Sequence, residues 1–299
     1  MQRTNKTTTT ESNQINKLKE VRHLLTYKCN LNCRHCYLDA GVKKNKEKPT
    51  KNIRQQELDN FYSRYQPNIV SATGGEPLLN LALVKKIARS IQKYGGSLEL
   101  VTNGFLLTKK ILKALIRINP NIFIQISLDG PEQIHNIMRN NPKAYSMAIK
   151  AIKLASSMGL KVKVRLTATT ENVNRISEVI KILDELKNKN IKLVIRPILS
   201  VGRAKENNLG ININYGELDK LKTEAKYIEV ETTDNEGKCG CGIDTVAIDP
   251  QGDIYPCTYF VYKSEYKMGN ITKIRNLNEQ SEFKNFNGTC FARHAKLLL

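Results

Sequence analysis

The sequence predicts an α/β fold: a partial barrel of six parallel β/α units, followed by a small α+β extension. Two observations predict it. Short strand-like runs alternate with amphipathic helical stretches through the middle of the chain, and the residues able to do chemistry fall just after those strands. Strands separated by helices at this spacing pair in parallel, and a parallel barrel gathers the loops after its strands at one mouth.

The strand-like runs are Val21–Lys28, Ile69–Thr73, Leu98–Thr102, Ile122–Leu128, Val162–Leu166 and Leu193–Ile198. Helical stretches lie near Ile53–Tyr65, Leu81–Tyr94, Lys109–Ile116, Tyr145–Met158 and Val173–Leu186. In the second of these, Leu83, Val84, Ile87, Ala88, Ile91 and Tyr94 recur at the helical period, and Gly95-Gly96 supplies the stop. Six such units make a partial (β/α)6 barrel of the TIM type. After about Ile198 the alternation ends, and Gly202–Gly210 reads as a loop from its turn formers and charges. A helix is expected near Tyr215–Tyr227. Val246–Ile248 and Asp253–Tyr255 flank Pro250-Gln251-Gly252 and read as a β-hairpin. The expected plan is therefore a disordered polar tail over 1–20, the barrel over 21–200, a linker with a helix over 201–238, and a small cysteine-bearing domain over 239–299.

A length of 299 residues suits one barrel with a small appendage. No apolar run is long enough to span a membrane, and the polar N-terminus has no secretory pattern. The net charge is +20, with Lys43, Lys44, Lys46, Lys48 and Lys51 close together. Such a surface attracts nucleic acid or an acidic peptide, although a chain rich in Lys, Ile and Asn also follows from an AT-rich genome. No helix-turn-helix, zinc-finger or aromatic-glycine signature is present, so nucleic acid is not the expected partner.

Cys29, Cys33 and Cys36 have the spacing Cys-x3-Cys-x2-Cys, which supplies three thiolates. An iron-sulfur cube held by four thiolates is saturated and passes electrons, whereas three leave one iron open to a small molecule. A structural zinc is the bland alternative, but it needs a fourth ligand, and His35 between two of the cysteines is badly placed to give it. Gly74-Gly75-Glu76-Pro77 follows the second strand, where glycines without Cβ atoms let the backbone approach a ligand closely. Thr102-Asn103-Gly104 follows the third strand, and Ser127-Leu128-Asp129-Gly130-Pro131 closes the fourth. All four motifs are expected at one mouth, where a reducing cytoplasm would keep the thiolates competent.

The run Thr26-x-x-Cys29-Asn30-Leu31-x-Cys33-x-His35-Cys36-Tyr37, with Gly74-Gly75-Glu76-Pro77 after it, resembles the radical S-adenosylmethionine (SAM) enzymes, in the form found with an extra C-terminal cysteine domain. The resemblance implies a [4Fe-4S] cluster on Cys29, Cys33 and Cys36 whose open iron chelates the amino and carboxylate groups of SAM. One electron then cleaves the sulfonium and releases a 5′-deoxyadenosyl radical. It implies that Gly74, Gly75, Glu76 and Pro77 hold the SAM amino group, with Asn103 nearby. Ser127 and Asp129 match the family's Ser-x-Asp-Gly pattern, whose polar groups contact the ribose. Pro131-Glu-x-x-His135-Asn136-x-x-Arg139 resembles the segment that follows, with Asn136 where Asp is common. Arg165 and Arg196 are candidates for the SAM carboxylate or adenine, with a surface salt bridge as the other reading.

Cys239-Gly-Cys241-Gly242, Gly252, Cys257 and Cys290 resemble the SPASM and twitch domains appended to some radical SAM enzymes, where such cysteines begin an auxiliary iron-sulfur cluster. The full pattern would need three more cysteines after Cys290, so the expectation is one cluster on Cys239, Cys241, Cys257 and Cys290, or a remnant with none. Three functions follow from the resemblance: a maturase of ribosomally made peptides, an enzyme of haem or other small-molecule synthesis, or a non-catalytic partner protein. A flavodoxin or ferredoxin is the expected electron donor, and no acid or base residue is assigned.

Overall fold

The computed structural model describes residues 17–41, 50–210, 220–232, 239–273, 277 and 290. The β/α units are β1 (Glu20–Leu24), α1 (Gln55–Tyr65), β2 (Ile69–Thr73), α2 (Leu81–Gln92), β3 (Ser97–Thr102), α3 (Lys109–Ile118) and β4 (Ile122–Ser127). They continue as α4 (Glu132–Arg139), α5 (Ala144–Ser157), β5 (Val162–Ala168), α6 (Ile176–Asp184), β6 (Ile191–Pro197) and the single-turn α7 (Arg203–Glu206). β7 (Glu229–Thr232), β8 (Thr245–Ile248), β9 (Asp253–Tyr255) and β10 (Gly269–Asn270) complete the described elements.

Alternation of side chains explains the strands. In β5, Val162, Val164, Leu166 and Ala168 are buried while Lys163, Arg165 and Thr167 are not; β4 does the same with Ile122, Ile124 and Ile126. The buried face packs on the helices, whose apolar stripes, such as Leu83, Val84, Ile87 and Ile91 of α2, complete one large core. Each such aliphatic side chain removed from water contributes about 1.5–3 kcal/mol. Side-chain caps start the helices: Asn80 Oδ1 accepts from the Leu83 N–H of α2 (3.3 Å) and Thr108 Oγ1 from the Ile111 N–H of α3 (3.3 Å).

The ten strands form one sheet in the order β10-β9-β8-β1-β2-β3-β4-β5-β6-β7. β1 to β7 are parallel neighbours, as the β/α alternation predicts. The inner face differs from that of a closed TIM barrel, which is packed with branched apolar side chains. Here Lys163 Nζ lies 2.6 Å from Glu99 Oε1, the Ser71 hydroxyl donates to Glu99, and Arg22 grips Glu20 with two hydrogen bonds of 2.9 and 3.0 Å. A polar inner face suits a ligand space better than a core.

Several expectations are corrected. β1 ends at Leu24 rather than Lys28, because the chain turns there and Thr26 Oγ1 accepts from the Lys28 N–H. α4 was not predicted; only His135 and Met138 of its eight residues are buried, too few to mark a period. The stretch near Val173–Leu186 divides into a 3-10 turn at Val173–Arg175 and α6. Of the helix expected near Tyr215–Tyr227, residues 215–219 lie outside the described residues; Lys220 is helical, and a 3-10 turn at Leu221–Glu224 follows before β7. β7 is a seventh parallel strand beside β6, hidden in sequence by its glutamates. Residues 1–16 of the expected tail and the lysines at 43–48 lie outside the described residues, whereas Leu18 is buried and its N–H bonds Tyr65 O.

The hairpin forms where expected, with β8 and β9 antiparallel. Its place is the new finding. β8 also pairs in parallel with β1, from Glu20 opposite Thr245 to His23 opposite Ile248, so the C-terminal strands extend the barrel sheet past its first strand.

Candidate active site

The loop that follows β1 carries Cys29, Cys33 and Cys36, and three parts of the chain hold it. The first is Gly74-Gly75-Glu76-Pro77 at the end of β2: the Gly75 N–H bonds Thr26 O (2.7 Å) and the Glu76 N–H bonds Lys28 O (2.9 Å). A Cβ on Gly75 would stand 2.1 Å from Lys28 O. The glycine is thus demanded by the cysteine loop itself. The second is the end of α4, where Met138 O accepts from the Arg34 N–H (2.9 Å).

The third holder is α7, where the turn formers and charges of the sequence predict a loop. The Arg203 side chain is buried; its Nε donates to Cys33 O (2.6 Å), Nη2 to Ala40 O (3.0 Å) and Nη1 to Asp39 Oδ1 (3.3 Å). Gly202 at its start has φ +54°, and a Cβ there would lie 2.7 Å from Cys36 O. Asn207 Nδ2 adds a bond to Arg34 O (3.0 Å). An arginine after a glycine gives no sequence signal for this, since its partners lie far back in the chain.

Glu76 and Asn103 join the loop to β3. The Glu76 carboxylate is fully buried and accepts from Thr102 Oγ1 (2.8 Å), the Asn103 N–H (3.0 Å) and the Leu78 N–H (3.1 Å). Burial pushes its pKa up to about 7 against these three donors. Both oxygens therefore serve the protein. Asn103 Nδ2 donates to Asn30 Oδ1 (2.8 Å) and lies 3.9 Å from Cys29 Sγ.

Asp129 is engaged within the protein in the same way. Its carboxylate is wholly buried; Arg139 Nη2 and Nε lie 2.7 Å from Oδ2, the Thr167 N–H bonds Oδ1, and His35 and His135 approach to 3.8 Å. Burial opposes ionisation, yet Arg139 and the two histidines hold its pKa down to about 2. It faces the protein rather than the mouth. Its work is to aim Arg139, whose Nη1 reaches 3.7 Å from Cys33 Sγ. Ser127, at the end of β4, sits in register with Arg165 of β5, and both lie on the inner face.

The donors fit an iron-sulfur cube. Burial pushes the Cys29 thiol up to about 12, and raises Cys33 against the pull of Arg139, so a cluster that binds these two sulfurs must displace their protons. The Leu31 N–H (3.4 Å) and Asn103 Nδ2 point at Cys29 Sγ while Arg139 points at Cys33 Sγ, which suits sulfurs that become anionic. Among the described residues no three Cys, His, Asp or Glu side chains gather closely enough for a single ion. A cube takes each thiolate on a different iron and wants the wider spacing.

The second cysteine group packs against the first. Cys241 hydrogen-bonds both Cys239 and Cys257, and Cys290 belongs to the same apolar cluster, together with Cys29, Cys36, Leu38 and Phe260. The hydrogen bond from Cys241, helped by Arg22, pulls the Cys257 thiol down, and Cys241 is raised in turn. Tyr27 stacks on Tyr262 (5.6 Å), Tyr37 tilts against Tyr259 (5.1 Å), and the Tyr262 hydroxyl donates to Leu38 O (2.6 Å). These contacts seal the seam between the cysteine loop and the C-terminal segment.

Comparison with known proteins agrees with this geometry. The profile of the Radical SAM superfamily matches residues 24–186, and that of SPASM, an iron-sulfur cluster-binding domain, matches residues 239–297. The antilisterial bacteriocin subtilosin biosynthesis protein AlbA of Bacillus subtilis is 25% identical over 277 residues, covering 88% of this chain and 60% of AlbA. Pre-heme d1 synthase of Dinoroseobacter shibae is 25% identical over 291 residues, covering 83% of this chain and 69% of that protein. The chain thus spans 60% and 69% of the lengths of these relatives. In fold it is similar to Streptococcus suis SuiB bound to S-adenosylmethionine, with TM-score 0.73 and 16% identity over 94% of this chain and 75% of that one.

Proposed function

The chain belongs to the radical SAM superfamily and carries a SPASM domain, and from that premise we propose that it is a peptide maturase, which cleaves SAM reductively and takes a hydrogen atom from a ribosomally made peptide. The observation that carries this reading is the single apolar cluster holding both cysteine groups, Cys29 and Cys36 with Cys239, Cys241, Cys257 and Cys290. Similarity to a bacteriocin biosynthesis protein supports the peptide as substrate.

Bound at Cys29, Cys33 and Cys36, a [4Fe-4S] cluster with SAM supplies a 5′-deoxyadenosyl radical for hydrogen abstraction. The protein's own part is positioning and exclusion. Arg203, Gly75 and Met138 fix the cysteine loop; Arg139 stands over one sulfur and Asn103 over another. Ser127 and Arg165 face the mouth for the ribose and carboxylate of SAM. The tyrosine pairs keep water from the seam beside the cluster, which a carbon radical requires. Cys239, Cys241, Cys257 and Cys290 hold an auxiliary cluster, and a flavodoxin or ferredoxin in a reducing compartment serves as electron donor.

A second reading, synthesis of a haem-type cofactor, is favoured by the similarity to pre-heme d1 synthase. Anoxic reconstitution tests the main reading. The native chain should hold roughly eight irons with matching sulfide and the Cys29→Ala/Cys33→Ala/Cys36→Ala variant roughly four. With SAM, reductant and a precursor peptide encoded beside it, the native protein should release 5′-deoxyadenosine and leave the peptide lighter by hydrogen. A triple variant without iron, or an unchanged peptide mass beside a modified tetrapyrrole, would overturn it.

A further inference from the structure

Two half-buried guanidiniums on the inner face lack an ion-pair partner among the described residues. Arg165 of β5 and Arg196 of β6 lie close enough to repel each other, and neither makes a hydrogen bond or ion pair with any described residue; Arg196 Nε is buried with no partner. Burial first, then the neighbouring Arg196, pushes Arg165 down to about 9. The nearby carboxylates are engaged elsewhere: Glu20 with Arg22, Glu99 with Lys163 and Ser71, Glu231 with Lys192. Arg22 is the cation facing the C-terminal cysteines, since Cys257 and Cys241 are the charges that act on it after Glu20; they are absent from the principal charges acting on Arg165 and Arg196.

Two cations side by side, each partly withdrawn from water, are unfavourable unless an anion joins them. SAM brings one carboxylate. Arg165, in register with Ser127 on the strand next to it, is the arginine placed for that group. Arg196 lies opposite Thr167, nearer the exit of the barrel, and Tyr259 of the C-terminal segment stands near both arginines.

We infer that Arg196, together with Tyr259, binds a carboxylate of the substrate peptide inside the barrel, so that the peptide carries an acidic group next to the residue that loses hydrogen. This rests on the peptide-maturase reading. The geometry suits a planar, two-toothed contact between guanidinium and carboxylate, and a net charge of +20 draws an acidic peptide towards the mouth. An Asp or Glu side chain and a free C-terminal carboxylate offer the same chemistry.

The test uses the reconstituted, SAM-loaded full chain and reads its melting temperature in sodium acetate against sodium chloride of equal ionic strength. Acetate should raise the melting temperature beyond chloride in the native protein and in Arg117→Gln, which alters an exposed arginine. Arg196→Gln should lose that increment and Arg196→Lys should keep part of it. No increment in the native protein with SAM bound, or an equal one in Arg196→Gln, overturns the assignment while leaving the maturase reading intact. Two pentapeptides then compete with acetate: acetyl-Ala-Ala-Glu-Ala-Ala-amide, and acetyl-Ala-Ala-Gln-Ala-Ala with a free C-terminus. Competition by the first assigns a side chain and by the second a terminus. Competition by neither overturns the proposal, and if coproporphyrin III competes in their place the site belongs to a tetrapyrrole and the maturase reading falls with it.

Discussion

Glu76 shapes the site without presenting its charge to a ligand. Its three donors cannot offset the cost of burying a carboxylate, so its pKa stands near 7 rather than 4.5. Because the folded state binds this proton more tightly than the unfolded chain, Glu76 contributes stability in full below pH 4.5, and that contribution is lost as pH rises through about 7. The shift corresponds to roughly 3 kcal/mol. Urea midpoints of the cluster-free protein between pH 4.5 and 8 should therefore fall less steeply in Glu76→Gln than in the native chain; parallel curves would show that Glu76 is ionised throughout. At this scale the sequence was legible where spacing is local. Cys29, Cys33, Cys36 and the Gly-Gly-Glu-Pro run identify themselves by neighbours within a few positions. Asp129 and Arg203 did not, because Asp129 turns inward to reach Arg139 and Thr167, and Arg203 meets partners on a distant segment.

Among elements, the single turn of α7 does more than its length suggests. Arg203 satisfies two backbone carbonyls of the cysteine loop that would otherwise be buried without a donor, at about 1–3 kcal/mol each. Arg203→Ala should lower the urea midpoint and quicken loss of iron to a chelator, with Arg203→Lys intermediate because it reaches fewer acceptors. Iron release at the native rate in Arg203→Ala would mean that the loop is held adequately by β2 and α4. The β/α alternation was legible because β4 and β5 carry strong periods of two and the helices, α2 above all, periods of three to four. α4 and β7 were not: one buries two side chains, and the other sets glutamates beside a lone buried valine.

For the whole molecule, the sheet joins what the cysteine spacing divides. The hairpin of β8 and β9 was legible from its turn, but its partner was not, since parallel pairing with a strand at the other end of the chain leaves no local mark in either. Removing residues 239–299 should therefore do more than remove iron. It uncovers the edge of β1, and an unpaired central strand is a template for association. Size-exclusion chromatography with light scattering should show aggregates for the truncated chain and a native-like profile when Cys239, Cys241, Cys257 and Cys290 are replaced by alanine. A well-behaved truncated barrel would show that β8 is dispensable to the fold.

The pairing of β1 with β8 also sets a clock for synthesis. β1 leaves the ribosome early, β2 covers one side of it soon afterwards, and the other side waits for a strand made about 220 residues later. At about 5–20 residues per second that wait lasts roughly ten to forty seconds. During it the nascent chain displays the three cysteines of its first loop beside an open strand edge. That loop is therefore most open to solvent before the last strand docks.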